Sequence, residues 1–456
     1  MRVRLGAESW RVWARTPTRQ PIWRSALLCG LALRFWVGAT VLSVTVRKRR
    51  AGIAGREICM TMCDTTMRER AFEALDSFRI EVPSWGFANT GTRFGKFVQA
   101  AAASTLEEKF ADAAEVNRLT GATPTIALHV LWDLPNGEGD IAELRSLERR
   151  YGVRAGSINP NLFQDQQYKF GSLCNPEASI RRQALDHVLD SIEIAKATGS
   201  RDVSLWLPDG SNYPGSQNIR NRIAWLEEAL GAAHAGLAPE QRLLIEYKPF
   251  EPAFYHTDIA DWGMASHLAR MAGPQARVLV DTGHHYNAQN IEQVVAWLLH
   301  TGLLGGFHFN DRRYADDDLT LGSIDPYQVF RIFHELIGGV DKGPGDAIAF
   351  MIDQSHNLKG KIEATVQTVV TAQELWLKAS LMDGELLAEH QQSCDIVAAE
   401  ELFRGAFWTD VRPLAAAWRE SRGIAADPLA ALREGGYVER VARERGARKS
   451  AVSSYA

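Results

Sequence analysis

The sequence predicts an α/β protein, a (β/α)8 TIM barrel with a C-terminal helical extension. Three observations predict it. Eight short apolar runs between Arg79 and Ser355 read as strands, and each is followed by sequence with helical spacing. Three of these runs, RLLIEYKPF, ARVLVDTGHH and GGFHFND, open on bulky or β-branched side chains and close on charged or imidazole groups. No G-x-G-x-x-G pattern follows the first strand, which removes the usual support for a dinucleotide-binding sheet. Open sheets rarely repeat the strand–helix unit eight times within about 250–300 residues, whereas the closed barrel does so routinely.

Taken in order, MRERAFEALDSF reads as a short amphipathic helix from Met67. RIEVPSWGFA is the first strand, ending near Trp85, and helix follows from Thr105 to Leu119. TPTIALHVLWDL is the second strand, with His129 towards its end, and IAELRSLERRYG its helix. VRAGSIN is the third, with Asn159 at its exit. Asn175-Pro176 then opens a long helix to about Thr198, since proline suits a first helical turn. DVSLWLPDG, with Trp206, is the fourth strand, and NIRNRIAWLEEALGAAHAG its helix. The fifth strand carries Glu246 and Lys248, the sixth Asp281 and the seventh His308. Helices from about Trp262, near IEQVVAWLLH and from about Pro326 to Ile337 follow them in turn. AIAFMIDQS is the eighth strand, with Asp353. The chain is helical beyond Lys361.

Composition bounds the partners. The 456 residues are 46% hydrophobic and 23% charged, with a formal net charge of -4. These are the proportions of a soluble globular protein, without the basic footprint of nucleic-acid binding. Cys29, Cys59, Cys63, Cys174 and Cys394 are few and mostly scattered, which points to a reduced, cytoplasmic protein without disulfides. Cys59 and Cys63 lack a nearby second pair of ligands for zinc.

The first 66 residues differ from the rest. Met1–Arg56 is rich in arginine and holds one acid, Glu8. Ser25–Val46 is long and apolar enough for a membrane helix, but its central Arg34 is costly in lipid. The expectation is a leader, disordered or arising from an upstream start codon, with the true start at Met60, Met62 or Met67 and no membrane partner. The expected organisation is therefore leader 1–66, barrel 67–383 and helical extension 384–456.

Parallel barrels place function at the carboxyl ends of their strands. Those ends carry Trp85, His129, Asn159, Trp206, Glu246 with Lys248, Asp281 with His284, His308 and Asp353, and the loop after strand seven adds Asp316 and Asp318. Five carboxylates packed together resist ionisation unless cations neutralise them, and two divalent ions bring +4. Oxygen donors with some imidazole suit Mn²⁺, Mg²⁺ or Co²⁺. Glu246, Asp281, His308 and Asp353, from four successive strands, can surround one ion. His284 lies past a Thr-Gly turn and would project to a second. Asp316 and Asp318, two apart in an extended loop, would point to the same side and close that second site. Glu246 and His284 then lie between the ions. Taken singly, each residue has a duller reading. Asp353 could cap the next helix, Asp316–Asp318 could be a solvated acidic loop, and His129, Trp85 and Trp206 could be core. His284 rather than His285 is chosen by spacing.

The motifs VPSWGFANTGTRFGKF, LHVLWDLP, INPNLFQDQQYKFGSL, EYKPFEP, VDTGHH and GFHFNDRRYADDDL resemble the L-rhamnose isomerases of the Pseudomonas and Streptomyces type, within the xylose-isomerase-like superfamily. The resemblance covers about Arg79 to Asn357 and much of the C-terminal extension. It implies a homotetramer that binds two divalent ions, typically Mn²⁺ with Co²⁺, Mg²⁺ or Zn²⁺ as substitutes, and interconverts L-rhamnose and L-rhamnulose. Other aldoses, such as L-mannose, L-lyxose and D-allose, are the alternative substrates. It further implies that Glu246, Asp281, His308 and Asp353 hold a structural ion, and that His284, Asp316 and Asp318 serve a catalytic one beside Glu246. Lys248, His129, Asp316 and Asp353 are the candidate catalytic residues. Lys248 would contact a substrate oxygen near the reacting carbons, and His129 would assist ring opening. Trp85 and Trp206 would form apolar walls, Asn159 would bind hydroxyls, and Phe94 would help close a pocket. The unfamiliar leader departs from the family pattern.

The chemistry is consistent with that resemblance. Moving hydrogen between C1 and C2 needs polarised O1 and O2, which divalent ions and Lys248 supply. Tryptophan faces suit the C–H surface of a sugar. Hydride transfer and an enediol route both fit these groups. A metal-dependent hydrolase of the same superfamily is a rival, but one acting on DNA would want a basic groove and more imidazole ligands. A non-catalytic sugar binder would not need seven ligands.

Overall fold

The computed structural model describes residues 53–89, 98–163, 165–211, 213–250, 257–339, 348–355 and 358–446. The apolar run Ser25–Val46 and Phe94 lie outside them. The chain divides into two units, Met1–Arg56 and Glu57–Ala456, and the barrel belongs to the second.

Eight parallel strands form one sheet in sequence order: β1 Val82–Pro83, β2 Thr125–His129, β3 Arg154–Asn159, β4 Asp202–Trp206, β5 Arg242–Glu246, β6 Ala276–Asp281, β7 Leu304–Phe309 and β8 Ala349–Ile352. The first and last strands meet through Glu81, whose N–H donates to Phe350 O at 2.8 Å and whose carbonyl accepts from Ile352 N at 2.9 Å, so the sheet curls into a barrel. Helix α1 spans Ile53–Ser77. The helices between strands are α2 Leu106–Thr120, the single turn α3 Val130–Asp133, α4 Ile141–Tyr151, α5 Ala178–Thr198, α6 Ile219–Ala235, α7 Trp262–Ala272, α8 Ile291–His300 and α9 Pro326–Gly339. Helix α10, Lys361–Ser380, follows β8. The C-terminal helices are α11 Gly384–Gln392, α12 Ile396–Trp408, α13 Arg412–Ser421, α14 Pro428–Glu434 and α15 Tyr437–Arg445. Among the described residues no helix is long and apolar enough to cross a membrane.

Local chemistry sets these boundaries. Thr105, Asn218, Asp261 and Asn290 each accept a backbone N–H of the first turn of α2, α6, α7 and α8, which satisfies a donor the helix itself cannot. Gly121 and Gly152 end α2 and α4 at φ of 69° and 70°, a conformation that penalises any Cβ. Strand β5 is buried along its whole length, the continuous apolar pattern of a parallel strand covered on both faces. Side chains alternate along strands. Leu244, Leu279, Gly306 and Met351 therefore share the face of Glu246, Asp281, His308 and Asp353, two residues behind each. Leu244, Leu279 and Met351 pack as a buried cluster, an apolar floor beneath those four.

The first two strands are shorter than the sequence suggests. After Val82–Pro83 the backbone turns into a 3-10 helix, Ser84–Phe87, which carries Trp85. β2 stops at His129 because Asp133 accepts the His129 N–H at 2.8 Å and starts the turn α3. Helix α1 begins at Ile53, well before Met67, and runs through the expected leader boundary without a break. Ala71 and Leu75 of α1 pack with Leu377, Val411, Ala415 and Trp418. The last C-terminal helix is joined to α2 by a buried pair in which Arg445 donates to both oxygens of Asp112 at 2.8 and 2.9 Å, with the Tyr437 hydroxyl donating at 2.8 Å.

Candidate active site

Four ligand-type side chains meet at the barrel mouth because their strands end side by side. Glu246 ends β5, Asp281 ends β6 opposite His308 of β7, and Asp353 follows β8. One ligand atom from each lies within 4.8 Å of the other three. His308 Nδ1 is 3.3 Å from Glu246 Oε1, 4.0 Å from Asp281 Oδ2 and 3.8 Å from Asp353 Oδ2. Asp281, His284 and Asp316 form a second group on the same criterion. His284 Nδ1 lies 3.0 Å from the Tyr247 carbonyl, an N–H donation that turns Nε2 towards Asp316 Oδ2 at 3.3 Å and Asp281 Oδ2 at 3.9 Å. Lys248 Nζ donates to Asp316 Oδ2 at 2.5 Å and sits 5.0 Å from the centre of the Trp206 ring.

Asp318 stands apart from the second group. Residues two apart share a side only in extended chain, and Asp318 has a φ of 51°. Its Oδ2 accepts from Ser355 at 2.9 Å, and it borders the same cleft.

Burial at this mouth leaves negative charge short of partners. Burial, with Glu246 and Asp353 adding repulsion, raises the Asp281 pKa well above the usual carboxylate range. Burial likewise lifts Asp353 to about 6, with Asp318 and Glu246 adding to the push. Burial opposes a proton on His308, but Glu246, Asp353 and Asp281 outweigh it and raise its pKa to about 10. Both His308 ring nitrogens are buried without a hydrogen-bond partner. A ring nitrogen facing three carboxylates at such distances, with no better bond to make, fits a cation ligand, and the mixed oxygen–imidazole donors suit a divalent metal ion.

This has a pH consequence. A pKa of about 10 keeps His308 protonated through neutral pH in the metal-free site, so an entering cation must expel that proton. Apparent Mn²⁺ affinity should therefore fall as pH drops and rise towards pH 10, by about tenfold per pH unit for each proton displaced. Calorimetry at pH 7 in buffers of different ionisation heat should report about one proton released or more. Zero release removes His308 from the ligand set.

Beside the two groups lies a cleft of about 590 Å³, counted out to solvent. One wall is aromatic. Trp85 and Trp132 pack on His129 with ring centres 4.6 and 4.4 Å away, and Trp206, which also borders the cleft, packs on Phe163 at 4.8 Å. Burial drives His129 down to about 3, so its imidazole is neutral, and its Nδ1 has no hydrogen-bond partner. Trp206 Nε1 and Ser204 Oγ, which border the same cleft, are also buried without one. A sugar hydroxyl would satisfy such atoms. Asn159 borders the cleft, though its amide also donates to the Leu128 carbonyl at 3.1 Å.

Several contributors escaped the sequence reading. Trp132 and Phe163 sit just past the ends of β2 and β3, in motifs already singled out, but nothing in their spacing marks them. Asn310 donates to both Asp281 oxygens, at 2.9 and 3.1 Å. Trp85 is more than a wall, since its indole N–H donates to Asp353 Oδ1 at 2.8 Å. It is held from below, because the preceding Ser84 hydroxyl donates to Asp133 Oδ2 at 2.5 Å and Asp133 in turn pairs with the buried Lys109.

Fold and mouth together define a parallel (β/α)8 barrel with carboxylate–imidazole groups able to hold divalent cations. Residues 120–337 match the family described as "Xylose isomerase-like TIM barrel". The chain is 40% identical over 379 residues to a protein of Mesorhizobium japonicum named "Probable sugar isomerase", covering 82% of this chain and 87% of that one. A protein of Rhizobium meliloti with the same designation is 40% identical over 377 residues, covering 81% and 87%. A xylose isomerase of Thermus thermophilus is 26% identical over 204 residues, covering 42% and 52%. The chain belongs to the xylose isomerase-like TIM-barrel family.

Proposed function

We propose that the protein is a metal-dependent aldose–ketose isomerase that interconverts L-rhamnose and L-rhamnulose by moving hydrogen between C1 and C2. The observation that carries the reading is the pair of carboxylate–imidazole groups sharing Asp281, set at a cleft walled by Trp85, Trp132 and Trp206. Relatives named sugar isomerases support the reaction class. When bound, two divalent cations, Mn²⁺ by resemblance, would polarise the oxygens on C1 and C2.

The chain's own residues supply the rest. Lys248, which donates to Asp316, would also donate to a substrate oxygen beside it. Neutral His129, whose Nδ1 has no protein partner, would hydrogen-bond the sugar near its ring oxygen and so assist ring opening without changing its own charge. The aromatic wall offers faces rather than donors, which suits the C–H surface of a sugar and the methyl end of a 6-deoxy aldose. Homotetrameric assembly is proposed by the same resemblance.

The test is ketose formation from L-rhamnose, L-mannose, L-lyxose and D-allose, with Mn²⁺ and with EDTA. L-Rhamnose with Mn²⁺ should give the highest kcat/KM, and EDTA should abolish turnover. Equal turnover in EDTA removes the metal dependence, and a higher kcat/KM for D-allose removes the rhamnose assignment.

A further inference from the structure

Two loops bring ligand-type residues to the barrel mouth. Strand β6 ends on Asp281 and the turn after it carries His284, while the loop after β7 carries Asp316. At their bases the two are already bonded, Thr282 Oγ1 to the Asn310 carbonyl at 2.8 Å and Asn310 Nδ2 to both Asp281 oxygens at 2.9 and 3.1 Å. Farther from the strand ends, a buried guanidinium adds several bonds between them. Arg312, only 7% exposed, stands at the base of the second loop and reaches into the first. Its Nε donates to His285 O at 2.7 Å, its Nη1 to Thr282 O at 2.7 Å and its Nη2 to Tyr286 O at 3.3 Å. Nη1 also donates to Gln328 Oε1 at 3.2 Å on α9. Three main-chain carbonyls of one turn, on both sides of His284, thus converge on a single guanidinium.

The base on which Arg312 stands is itself fixed. Asp311 and Leu319 exchange both backbone hydrogen bonds at 2.9 Å, closing the segment that holds Asp316 into a ladder. Asp311 Oδ2 accepts from Ile324 N and Asp325 N at 2.7 and 3.0 Å, and Asp311 Oδ1 accepts from Arg312 N at 2.9 Å. The guanidinium is therefore held in register with the Asp316 loop while its donors grip the His284 turn.

We infer that Arg312 is a positioning residue that locks the His284 turn to the Asp316 loop and so sets the spacing of the Asp281–His284–Asp316 group. This rests on the reading that the group holds a divalent cation. A planar fork is required, because its donors point in fixed, separate directions to three carbonyls. A lysine ammonium at the end of a flexible stem satisfies fewer of them in one geometry. A buried cation whose hydrogen bonds go to carbonyls costs desolvation that an apolar side chain would avoid. The bonds to the turn offset that cost.

The experiment is titration of the full-length, metal-stripped chain with Mn²⁺ alone, by calorimetry and by thermal melts with and without the ion. Wild type is compared with Arg312→Met, Arg312→Lys and the exposed neighbour control Arg313→Met. Arg312→Met should weaken one class of Mn²⁺ binding by about 10–100-fold, the usual effect of losing a group that orients ligands, and should shrink the Mn²⁺-induced rise in Tm. Arg312→Lys should fall between, and Arg313→Met should match wild type. The inference is overturned if Arg312→Met lowers Tm equally with and without Mn²⁺ while its affinities stay those of wild type, which is the result of a purely structural role. Should Arg312→Met fail to fold, the same comparison on Arg312→Lys decides. Wild type that binds no Mn²⁺ overturns the cation reading and this inference together, whereas normal wild-type binding with unaltered Arg312 variants overturns this inference alone.

Discussion

Asp281→Asn should abolish the stabilisation that Mn²⁺ confers while leaving the metal-free protein no less stable than wild type. The two halves of this result have one cause. Asp281 is fully buried and belongs to both ligand-type groups, so its loss removes a donor from each. Without cations its carboxyl is pushed well above the normal range by burial, Glu246 and Asp353, so a neutral side chain of the same shape relieves repulsion instead of adding strain. The amide oxygen can still accept from Asn310 and from Gly283 N, which lies 2.6 Å from Oδ1. In wild type, Mn²⁺ at about 100 times its Kd contributes about 2.7 kcal/mol per site, and that increment should vanish in the variant. Turnover should fall about 10³-fold or more, since the charge stabilisation of both groups is impaired. Paired thermal melts in EDTA and in Mn²⁺ read the effect. A variant that keeps the wild-type Mn²⁺ increment refutes the ligand assignment.

The order of the barrel was legible because parallel strands covered on both faces write themselves as short, continuous apolar runs. Several end abruptly on a polar residue at the barrel mouth, as RLLIE does at Glu246. The gathering of Glu246, Asp281, His308 and Asp353 follows almost automatically, because adjacent strands ending at one level bring their last side chains together. Beyond the strand ends this reasoning loses its grip. Alternation placed Asp316 and Asp318 on one side, but the left-handed backbone at Asp318 breaks the alternation and sends its carboxylate to Ser355. Trp132 and Phe163 belong to a one-turn helix and an exit loop, whose directions no periodicity encodes. Asn310 and Arg312 read as ordinary polar residues following a strand. Their roles depend on a neighbouring turn about thirty residues away in the chain, which only the register of β6 against β7 brings within reach.

Lys248→Met should separate catalysis from cation binding. Lys248 is 2% exposed, and its ammonium touches Asp316 Oδ2. Two roles are open to such a group, balancing the charge of Asp316 or donating to a substrate oxygen beside it, and they predict different effects on kcat. Methionine matches the length of the stem and removes only the charge and the donors. Asp316 then loses a cation that competes with any metal for its oxygens, so Mn²⁺ affinity should hold or tighten. If the ammonium donates to a developing oxyanion, kcat should fall about 10²–10³-fold, as it does when one such donor is removed elsewhere, with KM changing less. Parallel losses of Mn²⁺ affinity and kcat would instead mean that Lys248 only holds Asp316 in place. The divergence of the two readouts is decisive because a charge-balancing lysine cannot produce it. Removing a neutralising cation can strengthen metal binding, but it leaves the chemical step intact unless that same cation also meets the substrate.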